Sequence, residues 1–123
     1  MAEFEKKNVL AEKSYQFALK IVFLCKKLDA QKEYILSRQL LKCGTSIGAN
    51  VAEANGAISN ADFSAKISIA YKESLETKYW LKLLSDSNAI TQSTFEELFK
   101  LADELSKILY SILKSTRLRK LDN

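Results

Sequence analysis

Apolar residues recur at steps of three and four along four successive stretches of this chain, and no proline interrupts any of them. Proline removes a backbone donor and clashes with the preceding turn, so its absence permits long unbroken helices. The step pattern predicts them, because a period near 3.6 residues places such positions on one helical face. The expected helices span roughly residues 8-28, 33-55, 60-85 and 94-118, read from periodicity and punctuation.

In the first stretch Leu10, Phe17, Ile21, Leu24, Cys25 and Leu28 share a face, and Asp29-Ala30-Gln31-Lys32 breaks the pattern. The second carries Leu36, Leu40, Cys43, Ile47, Val51 and Ala54 on one side, with Gly44, Gly48 and Ala52 in a separate row. Glycine inside a helix costs roughly 1 kcal/mol against alanine. Two on one row predict close approach of another backbone; a local bend is the alternative. Asn55-Gly56 then predicts a left-handed stop with Ile58 folded back over the last turn. Ser59 or Asn60 is the expected cap of the third helix, with Asp62 in its first turn.

The third stretch carries Phe63, Ile67, Ala70, Ser74, Thr77, Leu81 and Leu84, and beside them a second row of Ile69, Glu73, Glu76, Trp80 and Leu83. Two faces unsuited to solvent predict a helix packed inside one bundle and against another subunit, with Ile69, Glu73 and Trp80 at the contact. In the fourth, Ser93 with Glu96, or Thr94 with Glu97, has capping-box spacing before Phe95, Leu98, Ala102, Leu105, Leu109 and Ile112. Four such helices joined by short turns predict one all-α domain over residues 1-123. The simplest arrangement is an antiparallel up-down-up-down four-helix bundle that assembles into a homo-oligomer. A continuous two-helix coiled coil is the alternative, against which the three turn signals argue.

Chemistry is harder to find. The chain has no histidine, which removes the usual general base and the commonest metal ligand together. Di-iron sites in helical bundles need Glu-x-x-His motifs, and imidazole-dependent triads are equally excluded. The three glycines match no phosphate-binding loop. Glu53, Glu73 and Glu76 leave carboxylate catalysis formally open, but pairing with lysines is the favoured reading, so no enzyme, cofactor or metal is expected. Cys25 and Cys43 lie among apolar neighbours and are expected as reduced core residues. Reduced thiols, a charged MAEFEKKN start and no apolar run near the ~20 residues of a membrane span predict a cytoplasmic protein without a membrane partner.

The net charge is +4 and the pI about 9.0. Lys114, Arg117, Arg119 and Lys120 concentrate positive charge near the end of the fourth helix. Phosphate backbones attract such clusters through counterion release, so contact with RNA or DNA is one reading and a solvated, frayed terminus the other. Tyr34, Tyr71, Tyr79 and Trp80 stand at helical spacing, where packing is favoured over base stacking.

The tract CGTSIGANVAEANG, Cys43 to Gly56, carries a resemblance. Gln39-Leu40 followed by Ser46-Ile47, Asn50, Ala52 and Glu53 resembles the signature of the bacterial four-helix bundle proteins encoded by intervening sequences in 23S ribosomal RNA genes. Phe63, Ile69-Ala70, Ser74 and Glu76 match the third-helix pattern, and the likeness extends from about Leu10 to Leu113. Gly48 stands where that family usually has proline, and Ala54 where it has glycine. The resemblance implies a homopentamer related to the accessory proteins of diversity-generating retroelements, which engage nucleic acid and a reverse transcriptase. It therefore implies further copies of the chain as partners, together with RNA or DNA or, as the alternative, a nucleic-acid enzyme that the protein would serve as an adapter without binding nucleic acid itself. Ser46, Asn50 and Glu53 read as structural hydrogen-bonding groups around the second helix.

Overall fold

The computed structural model describes the backbone of residues 3–122 and the side chains of residues 9–116. Its elements are α1 (Glu3–Ala30), α2 (Tyr34–Asn55), α3 (Asn60–Asp86) and α4 (Gln92–Asp122), with no strand among the described residues. Every apolar position assigned to a stripe lies in the core or packs against it: Phe17, Ile21, Leu40, Ile47, Leu81 and Leu109 are buried, while Leu36, Phe63 and Phe95 are partly covered at its edges. The core therefore runs along all four helices between Leu10 and Leu113, as a shared 3.6-residue period requires.

Helices α1 and α3 close alike. Lys32 and Asn88 adopt the left-handed conformation, with φ of 66° and 63°. The Glu33 N–H then reaches the Leu28 carbonyl at 2.9 Å and the Lys32 N–H that of Asp29 at 2.9 Å. After α3 the corresponding bonds run from Ala89 to Leu84 and from Asn88 to Ser85. Both sets satisfy carbonyls that the helix leaves without partners.

The exit of α2 differs from the sequence expectation. Gly56 has a φ of −100°, not a left-handed value, and its N–H bonds to the Glu53 carbonyl in a tight four-residue turn. Ile58 is 94% exposed and does not fold back. The chain instead runs into extended Ser59, whose hydroxyl accepts from the Asp62 N–H at 3.0 Å, while the Asp62 carboxylate accepts from the Ile58 N–H at 3.3 Å. This reciprocal pair ties down the junction without a left-handed residue.

Helix α4 also begins earlier than its Ser93 or Thr94 box suggests. Thr91 Oγ1 accepts from the Thr94 N–H at 3.1 Å, which makes Thr91 the cap and places Ser93 and Thr94 inside the helix.

Each helix packs on the next, and α4 packs on α1. Residue numbers run oppositely between α1 and α2, where Ser14 lies by Gly48 and Cys25 by Ser37, and between α3 and α4, where Ser74 lies by Ser106 and Tyr71 by Tyr110. Lys13–Glu104 at 3.5 Å and Lys20–Glu97 at 3.4 Å bridge α1 and α4 at the surface.

Candidate functional site

Between α1 and α2 the helices come very close. A Cβ added at Gly44 would lie 2.9 Å from Ile21 Cγ2, and one at Gly48 would lie 3.3 Å from the backbone oxygen of Ser14. The glycine row therefore serves close approach, as its spacing suggests. Outside this seam lies a groove of about 320 Å³, lined by Ala11, Tyr15, Ala18, Thr45, Ala49 and Ala52 among others. Thr45 turns its hydroxyl back to the Leu41 carbonyl at 2.6 Å, so its proton is directed along its own helix. Leu19, Phe23 and Leu41 are further exposed apolar side chains on these two helices. The surface is suited to contact by another apolar surface rather than to catalysis.

The signature residues are dispersed. Ile47 is core, Gln39 and Ala52 are exposed, and Phe63 is half-buried. Asn50 Nδ2 donates to the Ser46 carbonyl at 2.8 Å, and Glu53 pairs with Lys66 of α3 at 3.9 Å. Ser74 is buried on Ser106 at 2.7 Å. These contacts order α2 and its neighbours but converge on no single point.

On the second row of α3, Ile69 is exposed and Trp80 half-covered, with its indole N–H donating to Glu76 at 3.2 Å. The Tyr79 ring meets Trp80 edge-on at 5.1 Å. Partial burial, followed by the neighbouring Glu76 charge, pushes the Glu73 carboxyl above its ordinary range, while Lys42 opposes the shift. Tyr34 and Tyr79 are exposed in this chain and so lie outside its core. Helical spacing places a ring on a face but does not supply a neighbour to cover it.

The α3–α4 seam is polar within and charged outside. One proton per hydroxyl permits a relay from Ser106 Oγ to Ser74 Oγ at 2.7 Å and on to the Tyr71 carbonyl at 2.6 Å. Above it, Lys78 and Lys107 each reach a different oxygen of Asp103 at 3.1 Å. Hydrogen bonds from Lys107 and then Lys78 hold the Asp103 carboxyl below its usual range. Tyr71 and Tyr110 face this open groove of about 310 Å³, their ring centroids 5.9 Å apart and tilted by 46°. Lys114 is exposed one turn beyond Tyr110. The side chains of Arg117, Arg119 and Lys120 lie outside the described residues.

Both cysteines are buried and free. Desolvation raises the Cys25 thiol and pushes Cys43 up to about 11, which favours unreactive thiols. Among the described residues, no cluster of acidic or cysteine side chains has the arrangement to hold a metal ion. Sequence reasoning missed the buried Ser14, Ser37 and Ser106, as well as the Lys78–Asp103–Lys107 bridge. The available signal was Lys107, Tyr110 and Lys114 at steps of three and four, off the core stripe of α4.

The profile of the 23S rRNA-intervening sequence proteins matches residues 6–111. Among solved structures, the chain is similar to a protein of unknown function from the S23 ribosomal protein family of Bacteroides thetaiotaomicron. The two are 48% identical, with a TM-score of 0.86 and coverage of 89% of this chain and 98% of the other. No curated protein matches the chain.

Proposed function

This chain belongs to the 23S rRNA-intervening sequence protein family, and from that premise we propose a non-catalytic interaction protein that assembles with itself and contacts RNA or DNA. The observation that carries the reading is the apolar groove of α1 and α2, with Tyr15, Leu19, Phe23 and Leu41 exposed on the same pair of helices. An apolar groove flanked by exposed apolar side chains is suited to contact with another copy of the chain. An up-down-up-down bundle repeated as a homopentamer in the cytoplasm is the assembly proposed, with Ile69, Glu73 and Trp80 at a subunit contact. A histidine-free sequence supports a role without acid–base chemistry.

Light scattering on a sizing column tests assembly, and a monomer at micromolar concentration overturns it. Trp80→Ala is expected to weaken the oligomer; an unchanged subunit number would remove Trp80 from the interface. The nucleic-acid half of the reading rests on Lys114, Arg117, Arg119 and Lys120. Binding in a gel-shift titration should fall steeply with salt, and Arg117→Glu with Arg119→Glu should abolish it. Assembly without any such binding would replace this half with the adapter role, in which the oligomer holds a nucleic-acid enzyme.

A further inference from the structure

We infer that the α3–α4 groove seats one unpaired base of a single-stranded nucleic acid, with Tyr110 as the stacking face and Lys107 and Lys114 as phosphate contacts. The inference rests on the nucleic-acid half of the proposed function and adds a location and a strand preference. Tyr110 is 50% exposed, and its 46° tilt against Tyr71 leaves the two rings open rather than closed on one another. The groove of about 310 Å³ has room for a planar base, with Leu75 adding an apolar wall. Base–aromatic stacking needs only a ring face and is indifferent to base identity.

Charge is arranged to match. Lys107, Tyr110 and Lys114 follow one another at helical spacing, so cation, ring and cation lie in the order of phosphate, base and phosphate along a strand. The two lysines are separated by about 10 Å along the helix axis, from seven residues at the usual rise. Asp103 holds Lys78 and Lys107 on its two oxygens, at 3.1 Å each, in the way an incoming phosphate would. It acts as a built-in competitor: a bound phosphate takes over Lys107, and the carboxylate weakens binding until then. A duplex keeps its bases stacked and paired, so it can use the lysines but not the tyrosine.

Fluorescence anisotropy on the full chain tests this, using labelled oligouridine, labelled oligothymidine and duplexes of matched length. Tyr110→Ala is expected to weaken binding of both single strands about tenfold and to leave the duplex unchanged, whereas Tyr110→Phe keeps parental affinity. Asp103→Asn, which frees two cations, should tighten strand binding and steepen its salt dependence. Parental affinity in Tyr110→Ala overturns the inference while leaving a basic-terminus binder intact. A loss shared by the Phe variant, or a changed subunit number in Tyr110→Ala, also overturns it. Absence of binding by the parent chain removes this inference and the nucleic-acid half of the proposed function together.

Discussion

The α1–α2 and α3–α4 seams both join neighbouring helices through short turns, yet they differ in what sets their closest approach. The first depends on volume: Gly44 faces Ile21 with no space for a methyl group, and Gly48 faces the Ser14 backbone. The second depends on polar groups, with the Ser74–Ser106 pair inside and the lysine-bridged Asp103 at the surface. Their exteriors differ in the same sense, one an apolar groove and the other a cationic, aromatic one. A bundle can therefore present one side to its own kind and another to an anion without any change in core pattern. The first seam should be sensitive to added atoms and indifferent to pH, and the second the reverse.

The largest effect is expected from Ile21→Ala, which empties a fully buried site and should cost about 2–5 kcal/mol in denaturant unfolding. Gly44→Ala comes next. Overpacking against stiff, β-branched Ile21 costs about 1–3 kcal/mol, partly offset by roughly 1 kcal/mol of better helix propensity. Combining the two changes should recover much of the Gly44→Ala loss, because the Ile21 atoms it meets at 2.9 and 3.0 Å are gone. Strict additivity in that cycle would break the claim that volume holds this seam.

Ser74→Ala should cost about 1 kcal/mol, and adding Ser106→Ala should cost little more, since both ends of the hydrogen bond are then removed. The smallest effects are those of pH, and they carry opposite signs on the two sides of α3. Asp103 has a lowered carboxyl pKa, so its stabilisation is complete above the ordinary carboxylate value and is lost as pH falls through the lower folded value. Glu73 has a raised one, so stability grows as pH falls through its folded value and declines again as the carboxyl ionises. Asp103→Asn should flatten the acid limb of the stability curve, and Glu73→Gln the milder slope above it. Equal slopes for the two variants would show that the two sides of α3 do not differ electrostatically.

Much of the fold was legible beforehand. The stripes of α1 and α4, and the capping role of Ser59 with Asp62, follow from spacing and residue type alone. Ser14, Ser37 and Ser106 were not legible as core residues. A helical serine can return its proton to a carbonyl three or four residues earlier, as Ser14 does to Ala11 at 3.2 Å, and burial then leaves no mark on the apolar pattern. Gly56 misled for a related reason: its residue type permits a left-handed stop, but the Ser59–Asp62 pair makes one unnecessary. In the candidate site, the cluster at Lys114 was visible as charge, whereas the groove beside Tyr110 required a partner ring 39 positions away in the chain, at Tyr71.

Periodicity and turn chemistry by themselves determined that this chain forms four helices with one buried face each, because both are local properties of successive residues. Which faces come close enough to exclude a methyl group, which hydroxyls pair and which lysines share a carboxylate were decided only when helices distant in sequence met. Those outcomes turn on separations of a few tenths of an ångström between residues far apart in the chain, and such distances have no counterpart in a one-dimensional pattern.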